Sequence, residues 1–197
     1  MKTRDDIYFI KQCLGGDREA FRELVHRYQN FVFYVVFKMI RDAEMSRDLT
    51  QDIFIKAYIK LHTYNAQFTF KTWIARIAMY RAIDHLRRIK TENLVSVDDY
   101  GSNGTLLIDQ EQSGEPTQEQ RILRAEKAEM VARALKKLDP KLKAVIVMRH
   151  YQEMNYEEIA ETLNIPVGTV KNRLFRAREK LQKLLVDSSL LLQEAVL

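Results

Sequence analysis

The 197 residues carry 32 Lys and Arg against 27 Asp and Glu, and a lone cysteine, Cys13, has no partner for an internal disulfide. The hydrophobic fraction of 46% suffices for folded cores, but the apolar run Phe31–Ile40 is interrupted by Lys38 and too short to span a bilayer. With no apolar signal-peptide core near Met1, the sequence predicts a cytoplasmic protein without membrane insertion.

Apolar residues at helical spacing run through the first half of the chain. They predict helices at Asp5–Leu14, Asp17–Met39, Ala43–Leu61 and Phe70–Ile89. Alternating strand-like runs and internal repeats are not evident. We therefore expect an all-α N-terminal domain over residues 1–94.

The third of these predicted helices is apolar on two sides. Its inward arc consists of Ile53, Ala57 and Leu61. Ile55 points elsewhere, beside the polar side chains of Asp48, Gln51 and Asp52. A helix that is apolar on a second side needs a second partner, so we interpret this surface as a protein-docking face. The two aspartates have no third ligand at metal spacing, and we predict no metal site here.

The fourth predicted helix and the loop before it have features of a single-strand nucleic-acid surface. The helix places Tyr80 between Arg76 and Arg87, and Arg88 continues the positive charge. Arginines around an aromatic ring can hold phosphates while an unpaired base stacks. The loop His62–Thr69 can enclose a base through its polar and aromatic residues Tyr64, Asn65 and Gln67. The alternative, an ordinary helix connection with buried aromatics, is favoured for Phe68, Phe70 and Trp73.

Residues 95–120 form an acidic segment without a single Lys or Arg. The segment holds three of the six glycines and six acids, Asp98, Asp99, Asp109, Glu111, Glu115 and Glu119. Such a composition packs poorly and repels polyanions, so it predicts a flexible linker.

A C-terminal helical domain is predicted over residues 121–197, and it ends in a helix-turn-helix. Helices are expected at about Thr117–Lys137 and Pro140–His150, with Asp139 as the cap of the second. Asn155 and Glu158 form a capping-box pattern for the next helix, which ends near Leu163. A final helix begins around Val167.

This final helix has one apolar side and one polar side. Val170, Leu174, Ala177 and Leu181 share the apolar side, and six Lys or Arg stand against the single acid Glu179 between Pro166 and Lys183. Arg and Asn can read base edges, and Lys can neutralise phosphates. The alternative interpretation is a solvated amphipathic helix that binds nothing. We predict a major-groove surface made of Thr169, Lys171, Asn172, Arg173, Arg176, Arg178 and Lys180.

The four histidines are scattered, with neither zinc spacing nor a neighbouring nucleophile motif. We predict no catalytic residue and no cofactor, and hence a protein that is not an enzyme.

Three segments together resemble the bacterial extracytoplasmic-function (ECF) sigma factors of RNA polymerase in their minimal form, with regions two and four. Residues 48–58 resemble the polymerase-binding helix, residues 70–88 resemble the promoter-melting helix, and the helix-turn-helix resembles the region-four reader. The resemblance implies two small helical domains, joined by the linker, that bind core polymerase and a two-part promoter. An anti-sigma factor is the implied regulator.

The resemblance also implies a division of labour. Asp48, Gln51 and Asp52 would face the clamp helices of the polymerase β′ subunit. The His62–Thr69 loop would read the non-template minus-ten strand, and Val167–Lys180 would read the minus-thirty-five duplex near the β flap. The chain departs from the family pattern at Met79-Tyr80, where Arg-Asn is usual, and there stacking can replace a hydrogen bond.

Two other classes of function remain open from the residues alone. A stand-alone helix-turn-helix regulator would bind duplex DNA as a dimer through the Ile55/Ile59 surface, but it would not need the stripe of Arg76, Tyr80 and Arg87. An enzyme acting on nucleic acid would need a metal or nucleophile cluster, which the sequence does not display.

Overall fold

The computed structural model describes residues 2–92 and 118–194, and all regular structure in those ranges is helical. The predicted linker therefore lies outside the described residues except at its end, where residues 118–120 belong to a helix. The α-helices in chain order are α1 (Lys2–Leu14), α2 (Glu19–Ile40), α3 (Ala43–Ile59), α4 (Phe70–Glu92), α5 (Gln118–Lys136), α6 (Pro140–His150), α7 (Tyr156–Leu163) and α8 (Val167–Glu194). The all-α prediction is confirmed.

Short polar caps fix where the helices of the first half begin and end. Asp17 Oδ1 accepts a hydrogen bond from the Glu19 amide at 2.9 Å as α2 begins. Arg41 ends α2 in the left-handed region, with φ of 67°, and the next residue caps α3: Asp42 Oδ1 accepts from the Met45 amide at 2.8 Å. The turn between α2 and α3 is consequently only two residues long.

Several helix ends, including those of α1, α2 and α4, differ from the sequence prediction by one to three residues. Helix α3 stops at Ile59 instead of Leu61, because the chain tightens into a short 3-10 helix, Leu61–Thr63, whose end is closed by the Tyr64 amide donating to the Leu61 carbonyl at 3.0 Å. Helix α8 extends to Glu194, well past the segment that shows the recognition pattern.

The N-terminal half packs α2, α3 and α4 around a continuous apolar core, with α1 against α2. The largest side chains that are fully buried there are Phe37, Phe70, Leu24, Met39, Ile53 and Ile74. In the C-terminal half, α8 packs on α5, α6 and α7 around Met148, Ile159 and Leu174. Each half thus buries its own apolar face, as two small helical domains require.

The two halves also touch each other. Helix α4 contacts both α6 and α7, and α2 contacts α6. This junction buries the aliphatic stems and ammonium groups of two lysines, Lys38 of α2 and Lys143 of α6, each 3% exposed. The sequence does not predict such a junction, because the two halves are separated by the acidic segment.

Candidate nucleic-acid and protein interfaces

The helix-turn-helix is built as its sequence predicts. Asn155 Oδ1 accepts from the Glu158 amide at 2.8 Å, and Glu158 Oε2 accepts from the Asn155 amide at 2.8 Å, so the capping box is complete. Asn164 ends α7 in the left-handed region, with φ of 50°, and Pro166 precedes the first turn of α8. The tight turn fixes α8 against α7 and α6.

Helix α8 has the two sides that its periodicity predicts. Val170, Leu174 and Ala177 are buried. On the other side Lys171, Asn172, Arg176, Arg178 and Lys180 are exposed, while Thr169 and Arg173 are half-buried. Five of the seven predicted major-groove residues are therefore exposed, and they give this helix an accessible basic surface.

Sequence reasoning missed one member of that surface. Phe175 stands beside Arg176 with 69% of its area exposed, the largest exposure among the large hydrophobic side chains of the described residues. Its position three residues after Asn172, on the polar side of the helix, was readable from the same periodicity. The surface therefore offers an apolar contact as well as charges.

The loop before α4 is held by its own hydrogen bonds. Asn65 Oδ1 accepts from the Gln67 amide nitrogen at 2.9 Å, and Asn65 Nδ2 donates to Gln67 Oε1 at 3.1 Å, with both side chains exposed. Tyr64 is half-buried: its hydroxyl donates to the Phe68 carbonyl at 2.6 Å, and its ring packs edge-on against Trp73 at 5.8 Å. Burial raises the pKa of Tyr64, and the nearby Asp6 raises it further. The two amides thus remain accessible, whereas the tyrosine supports the loop.

The stripe on α4 is accessible at its charged positions. Arg76, Arg87 and Arg88 are exposed, and Tyr80 is 40% exposed. Helical spacing places Arg76, Tyr80 and Arg87 around one side of the helix, and the structure keeps that arrangement. The Tyr80 hydroxyl, however, donates to the main-chain carbonyl of Leu163 at 2.7 Å, at the end of α7. Tyr80 thus touches the other half of the protein.

Helix α3 exposes the residues of the predicted docking face. Ile53 and Ala57 are fully buried, whereas Ile55 and Ile59 are 59% and 64% exposed. Asp48, Gln51 and Asp52 are exposed beside them. One of these acids has a partner that the sequence did not reveal: Arg81 Nη2 of α4 lies 3.0 Å from Asp52 Oδ2. A mixed apolar and acidic surface is therefore available on α3.

No group of three or more His, Cys, Asp or Glu that could hold a metal occurs within residues 2–92 and 118–194. None of the helices in these ranges combines the length and the hydropathy of a membrane span. The perturbed ionisable groups lie mainly in the interior and at the junction. Burial, together with the nearby charges of Arg41 and Lys136, lowers the pKa of Lys143 to about 8, and burial also lowers the pKa of Lys38.

Comparisons with known proteins agree with this arrangement. The family model for sigma-70 region 2 matches residues 24–92, and that for sigma-70 region 4 matches residues 128–181. The chain is 33% identical over 178 residues to the ECF RNA polymerase sigma factor SigW of Bacillus subtilis, covering 90% of this chain and 95% of SigW. It is 32% identical over 189 residues to the RNA polymerase sigma-H factor of Pseudomonas aeruginosa, covering 94% and 96%.

Two solved structures share the fold. CnrH, in complex with the cytosolic domain of CnrY, superposes with a TM-score of 0.63 at 26% identity, covering 93% of this chain and 98% of CnrH. The sigma factor RpoE of Bartonella quintana, in complex with the anti-sigma factor NepR, gives a TM-score of 0.60 at 22% identity, covering 84% and 96%.

Proposed function

This chain belongs to the sigma-70 family, in its ECF group, and from that premise we propose how its surfaces divide the work of transcription initiation. As a sigma factor it binds core RNA polymerase, recognises a promoter and promotes DNA melting. The proposed domains are residues 1–94 for docking and the minus-ten element, 95–120 as linker, and 121–197 for the minus-thirty-five element. The family matches at 24–92 and 128–181 fall inside the two outer domains.

Polymerase docking is assigned to α3. Exposed Ile55 supplies an apolar anchor, and Asp48, Gln51 and Asp52 supply acceptors and negative charge around it. Apolar centres with charged surroundings give both affinity and orientation in protein interfaces. The partner proposed for this surface is the pair of β′ clamp helices.

Minus-ten recognition is assigned to the loop and the α4 stripe. Asn65 and Gln67 hold each other in place, so their outward donors and acceptors are pre-positioned for a base edge. Arg76, Arg87 and Arg88 would hold the single-stranded backbone while Tyr80 stacks on a base. Tyr64 contributes by bracing the loop against Trp73.

Minus-thirty-five recognition is assigned to the outer side of α8, near the polymerase β flap. Base-edge contacts are assigned to Arg173, Arg176 and Asn172, and phosphate contacts to Lys171, Arg178 and Lys180. Thr169, at the start of the helix, would contact a base edge or a phosphate.

Control by an anti-sigma factor in the cytoplasm completes the proposal. Solved complexes of two structural relatives, CnrH with CnrY and RpoE with NepR, support it as precedents for a bound regulator. One observation supports the whole proposal: the same chain exposes an apolar and acidic surface on α3, an aromatic and basic surface on α4, and a basic surface on α8.

Reconstitution tests the proposed function. The purified chain is mixed with core polymerase, and run-off transcription is measured on promoters recovered from cells that overproduce the chain. Core-dependent binding and initiation at those promoters are expected. A dimer that binds duplex DNA without polymerase would support the stand-alone regulator, and cleavage or modification of nucleic acid without polymerase would support the enzyme.

A further inference from the structure

Asp6 of α1 is a buried carboxylate that none of the surfaces assigned above uses. It is 2% exposed, and its two oxygens have different partners on α2. The Tyr28 hydroxyl donates to Asp6 Oδ2 at 2.5 Å, and Arg27 Nη1 lies 3.3 Å from Asp6 Oδ1. A buried carboxylate is costly unless it is paired and hydrogen-bonded, and a satisfied buried network makes its surroundings rigid. These two contacts therefore hold α1 and α2 in one arrangement.

An aromatic cluster of Tyr28, Phe70 and Tyr64 connects this carboxylate to the loop before α4. The ring centres of Tyr28 and Phe70 are 5.2 Å apart, and those of Tyr64 and Phe70 are 6.2 Å apart. Phe70 is fully buried, so the tyrosine rings pack against a side chain that the core fixes. Burial raises the pKa of Tyr64, and the charge of Asp6 raises it further, so the carboxylate lies close to both tyrosines. Helix α1 also contacts the 3-10 helix Leu61–Thr63, which leads into the loop.

Tyr64 transmits this arrangement to the loop backbone. Its hydroxyl donates to the Phe68 carbonyl at 2.6 Å, which ties together the two ends of a short stretch of chain. Asn65 and Gln67, the loop amides, lie within that stretch and are exposed. The direction of the loop amides therefore depends on where Tyr64 is held.

We propose that Asp6 and Tyr28 are positioning residues for minus-ten recognition: their buried hydrogen bond fixes the aromatic cluster and thereby sets the direction of the loop amides. The inference rests on the proposed function, because it concerns the loop assigned to the minus-ten strand. Asp6 is buried and Tyr28 is half-buried, so they act through the loop instead of touching DNA. A loop that is already ordered loses less entropy when it binds a base, and it favours the base whose edge fits. Helix α1 lies outside the region-2 match, which begins at residue 24.

A positioning role and a purely structural role have different consequences for DNA binding. If Asp6 and Tyr28 only held α1 against α2, loss of their hydrogen bond would lower stability and weaken binding to every DNA sequence alike. If they position the loop amides, the same loss lowers the preference for the cognate base. Base discrimination is therefore the quantity to measure.

Single-strand binding by the full-length chain assembled with core polymerase provides this measurement. The probes are fluorescent oligonucleotides that carry the minus-ten sequence of the recovered promoters, and the same oligonucleotides with one base changed. The ratio of their two dissociation constants is the discrimination ratio. Tyr28→Phe, which removes only the hydroxyl, should lower this ratio about fivefold, the effect of one net hydrogen bond, and leave core-polymerase binding unchanged. Tyr8→Phe, on an exposed tyrosine of α1, is the matched control and should leave the ratio unchanged.

A double variant keeps the test decisive if a single change destabilises the fold. Asp6→Leu with Tyr28→Phe removes the carboxylate and the hydroxyl together, and apolar replacement of both partners of a hydrogen bond can be nearly neutral for stability. The melting temperature should stay close to that of the parent, while the discrimination ratio falls at least as far as in Tyr28→Phe. Asp5→Asn changes the neighbouring acid, which is exposed and 3.8 Å from Arg27, and should leave the ratio unchanged.

A background without the loop amides tests the route of the effect. In Asn65→Ala with Gln67→Ala, Tyr28→Phe should lower the discrimination ratio no further, because residues that act through one another are not additive. An unchanged ratio in Tyr28→Phe and in the double variant would overturn the inference, whether or not overall binding weakens. A fivefold further loss in the background without the loop amides would overturn it as well.

The parent separates this inference from the function on which it rests. A parent that prefers the cognate probe, with variants that prefer it equally, would reject the positioning role and keep the proposed function. A parent that binds both probes equally would reject the minus-ten assignment itself, whatever the variants do.

Discussion

Replacing the buried Lys143 by methionine should stabilise the protein. Methionine has a similar length and no charge, so it keeps the packing while it removes the charge of a residue that is only 3% exposed and that, among the described residues, has Arg41 and Lys136 as its charged neighbours. A buried charge without a partner is destabilising, and an apolar replacement of similar volume is often stabilising.

The size of the effect follows from the pKa. Burial first, and Arg41 and Lys136 next, lower the pKa of Lys143 from 10.5 to about 8. This difference in pKa corresponds to a free-energy penalty of ~3 kcal/mol for the charged form of Lys143 in the folded chain. Below pH 8 both the folded and the unfolded chain carry the proton, and the full penalty is present. Between pH 8 and 10.5 the unfolded chain holds more protons, so the stability of the parent rises with pH.

Urea denaturation followed by circular dichroism at pH 7, 8, 9 and 10 measures this dependence. The Lys143→Met chain should exceed the parent by ~3 kcal/mol at pH 7, and the advantage should shrink as the pH approaches 10.5. Lys141→Met, on an exposed lysine of the same helix, is the control and should change little at any pH. A Lys143→Met chain that is less stable than the parent at pH 7, or a difference that does not vary with pH, would refute the reasoning.

The proposed interfaces lead to three further predictions. Asp52→Arg should weaken core-polymerase binding by several kcal/mol through like charge, whereas Arg81→Ala, which breaks only the Asp52 ion pair, should have little effect in the same binding titration. Arg176→Ala should cost about 1–3 kcal/mol of binding free energy on the cognate minus-thirty-five duplex and should relax sequence specificity. Lys171→Ala should weaken binding to all duplexes and lower the salt dependence of binding by roughly one unit of slope. Equal losses on cognate and random DNA would make Arg176 a phosphate contact. Tyr80→Ala in assembled holoenzyme should slow promoter opening, measured by permanganate footprinting, because stacking is worth roughly 1–3 kcal/mol per base; unchanged opening would remove Tyr80 from the minus-ten surface.

The parts of the fold that the sequence predicts are those determined by neighbours along the chain. The capping box of Asn155 and Glu158 spans three residues, and the burial of Val170, Leu174 and Ala177 follows from a period of 3.6. The recognition helix was therefore predictable in position and in orientation.

Contacts between distant segments were not predictable in this way. Arg81 pairs with Asp52 from another helix, and Ile83, three residues after the exposed Tyr80, is buried at 7% exposure. A helical wheel shows on which side of the helix a residue lies, but the tertiary fold determines which residues pack against that side. Lys38 shows the same limit: in sequence it interrupts an apolar run, and in the structure the two tyrosine rings that face it explain its burial.

The residue that sets this chain apart from the family pattern also supplies a hydrogen bond between the halves. The family usually has asparagine where Tyr80 stands, and an asparagine amide ends two bonds beyond Cβ, too short to reach the carbonyl that the tyrosine hydroxyl meets from the far end of its ring. Leu163 would then lose a donor from α4. Tyrosine at this position therefore adds two capacities at once, a ring that can stack on an extruded base and a hydroxyl that can hold the halves together. In the structure the hydroxyl is bonded to the Leu163 carbonyl while Tyr80 remains 40% exposed.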